Sequence, residues 1–309
     1  MISSPQAAEA AAASDRYAAA YRSAFSIDGA APEEVPSADG GEIRGVVVHE
    51  EPVNNRVGKH LETIAYEEIA ISLGANQSPG IYAWIQSMLD GNPQPKNGSI
   101  VAVDARGRPR NQIQFTDGRI TEVAFPTLDA RSRVAAELAI TIEPGGLTPR
   151  EPASTLAPPN RAKQKPWLGS NFRLNIDGLA SACARVTKIE AITIKQSFIY
   201  PDGPHSTPNA SPLDVSDLVF YCPEEFAEPF RAWAREFIVQ NSGGERSATL
   251  EFLAPDFKTV FFTLLLSGLG IRGCGLQGDD LKTASARVVK VELYCENVSL
   301  YVGPYNPTT

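Results

Sequence analysis

The segment Phe25-Ser26-Ile27-Asp28-Gly29 returns later in the chain as Leu174-Asn175-Ile176-Asp177-Gly178, 149 residues further on. In both copies an alternating strand pattern runs into Asp-Gly, a pair that favours a tight turn because both residues tolerate a left-handed backbone. Repetition at a fixed spacing is the sequence signature of a repeated structural unit. The two segments therefore predict two copies of one β-rich unit, each opening with a strand and a turn.

Two amphipathic helices are predicted at the same spacing. Their apolar side chains recur at i, i+3, i+4, i+7 and i+8, which places them on one buried stripe. Ser78 and Pro79 precede the first helix as an N-cap and a first-turn proline. Trp84 and Trp233 occupy equivalent positions and are predicted to be core anchors rather than binding aromatics. The two stripes are Ile81, Trp84, Ile85, Met88 and Leu89, and Phe230, Trp233, Ala234, Phe237 and Ile238.

Each copy is predicted to hold about six strands around one flanking helix. The fold class is therefore mainly β (α+β), with two tandem small antiparallel β-barrel or sandwich domains. In the closing strands, Leu138, Ile140 and Ile142 alternate with polar residues, the period of a half-buried antiparallel strand. The other predicted strands span 43–50, 64–73, 186–196 and 213–221, with long polar loops at 51–62 and 200–211.

The domain limits follow from the repeat and from proline density. Residues 1–20 form an Ala-rich N-terminal arm, and 21–143 form the first domain. Residues 144–169 are rich in proline, which gives an extended connector with few ladder hydrogen bonds. The second domain spans 170–305.

Composition excludes several classes of protein. A net charge of −8 and a pI near 5.1 argue against a protein that grips nucleic acid through its phosphates. The four cysteines form no CxxC pair, so neither a metal site nor a redox motif is predicted, and no cofactor is expected. No apolar run approaches ~20 residues, so no membrane span is expected. No basic, apolar leader pattern opens the chain, so no signal peptide is predicted.

Enzymatic motifs are weak. Gly268-Leu269-Gly270-Ile271-Arg272-Gly273 spells GxGxxG, but the glycine-rich residues after it cannot open a helix well, so a strand and turn are predicted rather than a nucleotide site. The three histidines and the available Ser, Cys and Asp residues assemble no catalytic set. We therefore expect the protein not to be an enzyme.

Other stretches complete a pattern that resembles a known family. The helix Ile81-Tyr82-Ala83-Trp84-Ile85 is followed by Lys96-Asn97-Gly98-Ser99 and a strand-turn segment ending at Gly107. With the opening F-x-I-D-G, this resembles the tail tube protein family of contractile phage tails and phage-like contractile injection systems, and more distantly the type VI secretion tube protein. The match covers 21–150 well and 170–305 more loosely, because the second copy has Ala254-Pro255-Asp256-Phe257 in place of the family hairpin.

The resemblance implies a structural virion component in which tube domains close into six-membered rings. With two domains per chain, it implies a trimer with pseudo-sixfold symmetry. Closure agrees with the need to pair exposed sheet edges and with the preference of identical subunits for cyclic symmetry. Structural and interface candidates are Asp28, Gly29, Asp177, Gly178, Trp84, Trp233, Asn54, Asn55, Arg56, Arg106, Arg108 and Arg110.

The partners implied are the chain itself, in a ring and in stacked rings, and the sheath, baseplate or other tube proteins. The channel of such a ring passes DNA or protein cargo, without sequence-specific nucleic-acid binding. The implied location is a virion tail or phage-like particle assembled in the bacterial cytoplasm. Three roles stay open: shaft subunit, tube terminator or baseplate adaptor, and cargo or binding module. The basic cluster around Arg108 fits a solvated hairpin tip or an inter-ring salt bridge better than a nucleic-acid contact.

Overall fold

The computed structural model describes residues 22–51, 56–75, 77–104, 109–151, 167–201, 206–277 and 287–305. The predicted N-terminal arm and residues 152–166 of the predicted linker lie outside these ranges. Strands dominate the described chain and form several sheets rather than a closed barrel, which confirms the mainly β class.

The strands of the first half are β1 (Arg22–Ile27), β2 (Glu33–Val35), β3 (Ser37–Gly40), β4 (Ile43–His49), β5 (Lys59–Tyr66), β6 (Ile69–Leu73), β7 (Lys96–Val103), β8 (Pro109–Phe125), β9 (Leu128–Asp129), β10 (Leu138–Glu143) and β11 (Gly146–Arg150). Those of the second half are β12 (Phe172–Ile176), β13 (Lys188–Ile189), β14 (Ile192–Lys195), β15 (Phe198–Ile199), β16 (Asn209–Ala210), β17 (Asp214–Val215), β18 (Leu218–Pro223), β19 (Arg246–Leu253), β20 (Val260–Leu276) and β21 (Val288–Val302). The helices are α1 (Pro79–Leu89), α2 (Ala180–Cys183) and α3 (Glu228–Ala234), with a 3-10 turn at Glu224–Phe226 and a π-helix at Arg235–Val239.

Three predicted strands are divided, and both predicted polar loops contain strand residues. The span 64–73 breaks at Glu67 and Glu68, 213–221 breaks after Val215, and 186–196 is divided into β13 and β14. The first two breaks lie where each hairpin returns to its sheet. The polar loop predicted over 51–62 is wrong from Lys59 onward, because those residues pair with β4 as the start of β5. The loop predicted over 200–211 is wrong at Asn209–Ala210, which pair with β15 as β16.

The chain divides into two compact units, and neither is continuous in sequence. The first takes its described residues from Met1–Ser72, Pro95–Arg119 and Thr141–Ala162. The second takes them from Leu73–Gln94, Ile120–Ile140 and Lys163–Thr309. This grouping does not follow the repeat, so the domain limits 21–143 and 170–305 stay a prediction.

In one sheet, neighbouring strands follow the order β2-β1-β7-β8-β10-β6-β3, of which β1, β2, β3 and β7 lie wholly in the first unit. The strands at the two ends of this order, β2 and β3, are consecutive in the chain and are separated only by Pro36. Proline cannot donate to a ladder, so it interrupts the strand where the partner changes from β1 to β6. The core of this unit includes Phe25 stacked on Phe115, with ring centroids 6.2 Å apart.

In the second unit, one sheet has the order β12-β19-β20-β21-β18-β13-β9. Its core is aromatic. Phe252 stacks on Phe262 at 4.4 Å, and Trp167 lies edge-on to both rings at 5.3 and 5.2 Å. Such offset and edge contacts are the arrangements that aromatic rings prefer, and they add to the burial of large apolar surfaces.

The same strand order therefore occurs twice: β1-β7-β8-β10-β6-β3 corresponds to β12-β19-β20-β21-β18-β13. The registers agree as well. Phe25 pairs with Ile100, and its counterpart Leu174 pairs with Leu250. Leu174 lies 149 residues after Phe25, and Leu250 lies 150 residues after Ile100. Pairing partners are independent of the residue identities that suggested the repeat. The registers therefore support an internal duplication.

Helices α1 and α3 keep the predicted stripes over their first two turns. In α1, Ile81, Ile85 and Met88 are buried, and the helix packs against β21. Ser78 is at the N-cap, but its side chain makes no capping hydrogen bond. The second predicted helix comprises α3 and the π-helix that follows it. The prediction that Ile238 is buried there is wrong, since the side chain is 51% exposed. The turn after Ala234 is a π-helix, whose wider period carries Ile238 off the stripe. The short helix α2 was not predicted.

Candidate assembly surface

Asp28 and Gly29 form a tight turn between β1 and β2. Both have a left-handed backbone, with φ of 48° and 74°. The Asp28 carboxylate accepts a hydrogen bond from Lys96 Nζ at 2.6 Å and one from the Asn97 backbone N–H at 3.2 Å. The hydrogen bond and charge of Lys96 hold the pKa of the Asp28 carboxyl below its usual value. The turn is thus tied to the start of β7.

The counterpart turn is built differently. Gly178 keeps the left-handed conformation, with φ of 76°, but Asp177 is not among the residues with positive φ. Here the backbone carbonyl of Asp177 accepts a hydrogen bond from Arg246 Nη1 at 2.5 Å. The arginine replaces the aspartate as the side chain that fastens this turn to the neighbouring strand.

Asp28→Ala is expected to lower the free energy of unfolding by about 1–2 kcal/mol, because alanine is disfavoured at a left-handed φ and loses both hydrogen bonds. The matched variant Asp177→Ala is expected to cost less than about 0.5 kcal/mol. Urea unfolding of the two variants measures the difference, and equal losses would contradict the assignment.

The lowered pKa of Asp28 also predicts a pH dependence. A carboxyl with a depressed folded-state pKa contributes stability above its unfolded value, and that contribution is lost as pH falls through the folded value. Asp28→Asn keeps a residue that tolerates the left-handed backbone but removes the carboxylate. Its free energy of unfolding, measured with urea, should therefore be lower than that of the wild type at pH 6. The difference should shrink below about pH 4, the ordinary aspartate value. A gap that stays constant down to pH 2 would contradict this.

Trp84 and Trp233 lie in the core of the second unit, 2% and 1% exposed. Trp84 Nε1 donates to the carbonyl of Gln94 at 2.8 Å. Trp233 Nε1 has no hydrogen-bond partner among the described residues, and the Arg246 guanidinium lies 4.9 Å from its ring centroid. Neither indole reaches a surface, so neither side chain contacts a partner directly.

The remaining candidates are not gathered into one site. Arg110 forms an ion pair with Asp104 at 2.9 Å, and Arg56 is exposed. Asn54, Asn55, Arg106 and Arg108 lie outside the described residues. Their interface roles stay predictions.

The most prominent surface is one that the sequence reading missed. Strands β4 and β5 form a two-stranded hairpin in which every residue is exposed or half-buried. The register places one set of apolar side chains on a common face, and an added Cβ at Gly45 would meet Leu61 at 2.6 Å, so Leu61 lies across the glycine. We call this set the apolar hairpin face: Ile43, Val47, Leu61 and Ile64, which are 42, 50, 70 and 58% exposed.

The opposite face of the hairpin is mixed, since it carries two ion pairs beside Val46, which is 38% exposed. Arg44 Nη2 lies 2.7 Å from Glu67 Oε1, and His60 Nδ1 lies 3.0 Å from Glu50 Oε1. A ribbon with ion pairs on one face and uncovered aliphatic side chains on the other is only marginally stable in water. Apolar surface of this kind is typical of a face that a partner covers.

The base of the counterpart hairpin in the second half is covered within the chain. Its base is β14 paired with β17, and β14 also pairs antiparallel with the end of β8. Gln196 N–H extends that ladder to the carbonyl of Thr121 at 2.8 Å. Ile194 is fully buried there, and Lys195 Nζ lies 3.3 Å from Glu122 Oε2.

The end of β20 lacks such a cover in the described part of the chain. Strand β19 pairs with β20 only as far as Leu269, and Gly273–Leu276 pair with β21 alone. Leu276 is 45% exposed, and a Cβ added to Gly275 would meet nothing within 4 Å. Burial raises the pKa of the half-buried Cys274 thiol. The GxGxxG segment lies inside β20, so no helix opens at it.

Two other features are absent from the described ranges. No group of three His, Cys, Asp or Glu side chains is placed to hold a metal ion there. None of the helices described is long and apolar enough to cross a membrane.

Comparison with known proteins gives structural neighbours only. No family model and no curated protein matches the sequence. The chain is similar to a subunit of the PVC sheath-tube complex in the extended state, at 16% identity and a TM-score of 0.38, over 42% of this chain and 89% of that one. It is also similar to the anti-feeding prophage tube terminating cap, at 18% identity and 0.38, over 42% and 89%. The first of these belongs to an extracellular contractile injection system. Hcp1 from Flavobacterium johnsoniae matches at 13% identity and 0.29, over 41% and 94%.

Proposed function

We propose that the protein is a structural subunit of a phage-tail-like contractile assembly, in which three chains close into a ring of the inner tube or its end. One observation carries the proposal: in the described part of the chain Ile43, at the base of the apolar hairpin face, is 42% exposed, whereas its counterpart Ile194 is buried where β14 pairs with β8. In its described part, an isolated chain leaves β4 and the end of β20 each paired on one side only, and a ring of copies supplies the second partner of both.

The kind of assembly rests on the motifs at Phe25–Gly29, Trp84 and Lys96–Gly107, which resemble tail tube proteins. Two repeats per chain make a trimer pseudo-sixfold. The partners that follow are further copies in the ring and in stacked rings, and sheath, baseplate or other tube proteins. A channel in the ring passes DNA or protein cargo, and the particle assembles in the bacterial cytoplasm.

The unequal hairpins favour an end ring over a shaft. The first hairpin has strands of seven and eight residues, whereas the outer part of the second, β15 and β16, has strands of two. Around a pseudo-sixfold ring, long apolar hairpins would therefore alternate with short ones. A terminator or adaptor that joins partners of unlike symmetry can use such a face, whereas a shaft must repeat one face many times.

Native mass spectrometry and negative-stain microscopy of the full chain at micromolar concentration test the proposal. We expect a species of three chains, seen end-on as an annulus, with an interface above about 2,000 Å². Long hollow tubes would assign the shaft role, and single rings the end role. A monodisperse monomer under these conditions would overturn the proposal.

A further inference from the structure

The chain contains one complete junction between a hairpin and a long strand, and two unpaired halves of another. In the complete junction, Ile192 to Lys195 pair antiparallel with Phe125 to Glu122. Ile194 and Val123 are opposite each other, and both are fully buried. The unpaired halves are β4, which pairs with β5 alone, and the end of β20, which pairs with β21 alone, among the residues described.

The two hairpins correspond residue by residue at their bases. Ile43 pairs with Tyr66 as Ile194 pairs with Val215. The next pair towards the base is also equivalent. The Glu67 N–H donates to the Glu42 carbonyl at 2.9 Å, and the Ser216 N–H donates to the Thr193 carbonyl at 2.9 Å. Ile43 is therefore the equivalent of Ile194.

The two long strands correspond as well. Both β8 and β20 contain 17 residues. Each has a left-handed residue at the same position, Asp117 with φ of 51° and Gly268 with φ of 64°. Six residues beyond these points lie Val123 and Cys274. Cys274 is therefore the equivalent of Val123.

We propose that β4 of one copy pairs antiparallel with Gly273–Leu276 of a second copy, with Ile43 opposite Cys274. This seam rests on the proposed ring and names the strands that close it. In the same register, Glu42 is opposite Gly275 and Arg44 is opposite Gly273. The seam covers Ile43, which is 42% exposed in the single chain, as Ile194 is covered in the complete junction.

Details of the two edges agree with this pairing. Nothing in the described part of the chain requires glycine at 275, because an added Cβ would meet no atom within 4 Å and the backbone is not left-handed. A glycine in a strand often marks the close approach of another backbone. Glycine at 273 replaces the acid of the complete junction, Glu122, and Arg44 correspondingly has its own partner in Glu67. Each chain offers one β4 and one β20 end, so the contact is heterologous and can close a ring.

The register is tested by Ile43→Cys in the full chain, using the native Cys274. Opposed residues of an antiparallel pair have Cβ atoms about 4.5–5.5 Å apart, close to disulfide geometry. Diamide, a two-electron oxidant, takes two electrons and two protons from the thiol pair as the S–S bond forms. We expect a covalent trimer on a denaturing non-reducing gel, and a peptide joining positions 43 and 274 by mass spectrometry.

Two variants serve as controls. Ile43→Cys with Cys274→Ser should give no covalent species, and Val47→Cys, on the same hairpin face but about 13 Å further along the strand, should not link to Cys274. A ring seen by native mass spectrometry without the 43–274 link would overturn the seam and leave the proposed function standing. A chain that stays monomeric would overturn both.

Discussion

The double variant Val47→Lys with Leu61→Glu is expected to remain folded and to lose ring assembly. The two residues are directly opposed across the hairpin, so the new charges attract each other in the free chain. Assembly must then bury charge where it previously buried aliphatic side chains worth about 1.5–3 kcal/mol each. We expect the dissociation constant to rise at least about 100-fold, measured by analytical ultracentrifugation.

The matched control puts the same charge pair on the other face. Val46 and Thr63 are also directly opposed, and they lie on the side of Arg44 and His60. Val46→Lys with Thr63→Glu should change the dissociation constant less than about tenfold, since exposed pairs contribute little. Equal losses in the two double variants would show that the apolar hairpin face is not the covered surface.

Trp84→Ala and Trp233→Ala are each expected to lower the free energy of unfolding by about 3–5 kcal/mol, the usual cost of emptying a buried tryptophan site. Both side chains are at most 2% exposed, so each substitution leaves a cavity inside the core. Thermal and urea unfolding measure the loss, and a decrease below about 1 kcal/mol would contradict the core role.

Substitution by phenylalanine is expected to lower the free energy of unfolding by different amounts at the two tryptophans. Trp84→Phe leaves the Gln94 carbonyl without its donor, so it should cost about 1–3 kcal/mol more than the lost volume alone. Trp233→Phe removes an indole N–H that has no partner, so its penalty should be the smaller of the two. The reverse order would show that the hydrogen bond to Gln94 contributes nothing to stability.

The two predicted helices show where a periodic apolar pattern predicts burial correctly and where it does not. The stripe of α1 was readable because one uniform period of 3.6 residues holds from Ile81 to Leu89. The same pattern failed at Ile238, since the turn beyond Ala234 adopts a π-helix. A change of helical period depends on what the helix packs against, and the local sequence does not record it.

The sequence did not predict the apolar hairpin face or the uncovered end of β20. Lys59, His60 and Glu62 give the start of β5 a polar composition typical of a loop, and the bulge beside Leu61 interrupts the alternation of a strand. Cys274 and Gly275 follow the GxGxxG segment, and the sequence assigned them no role beyond a strand and turn. Their position at an uncovered strand end becomes visible only once the partners of β8 and β20 are compared.

The amino-acid sequence by itself indicated the β class, the repeated unit and the buried tryptophans, because periodicity and repetition are visible in the order of the residues without knowing which segments meet in space. Only the tertiary structure decided which edges are paired, that β14 extends β8, and that the apolar hairpin face is left open. Strand partners are chosen by backbone hydrogen bonds between residues far apart in sequence, and every residue except proline offers the same donor and acceptor for them.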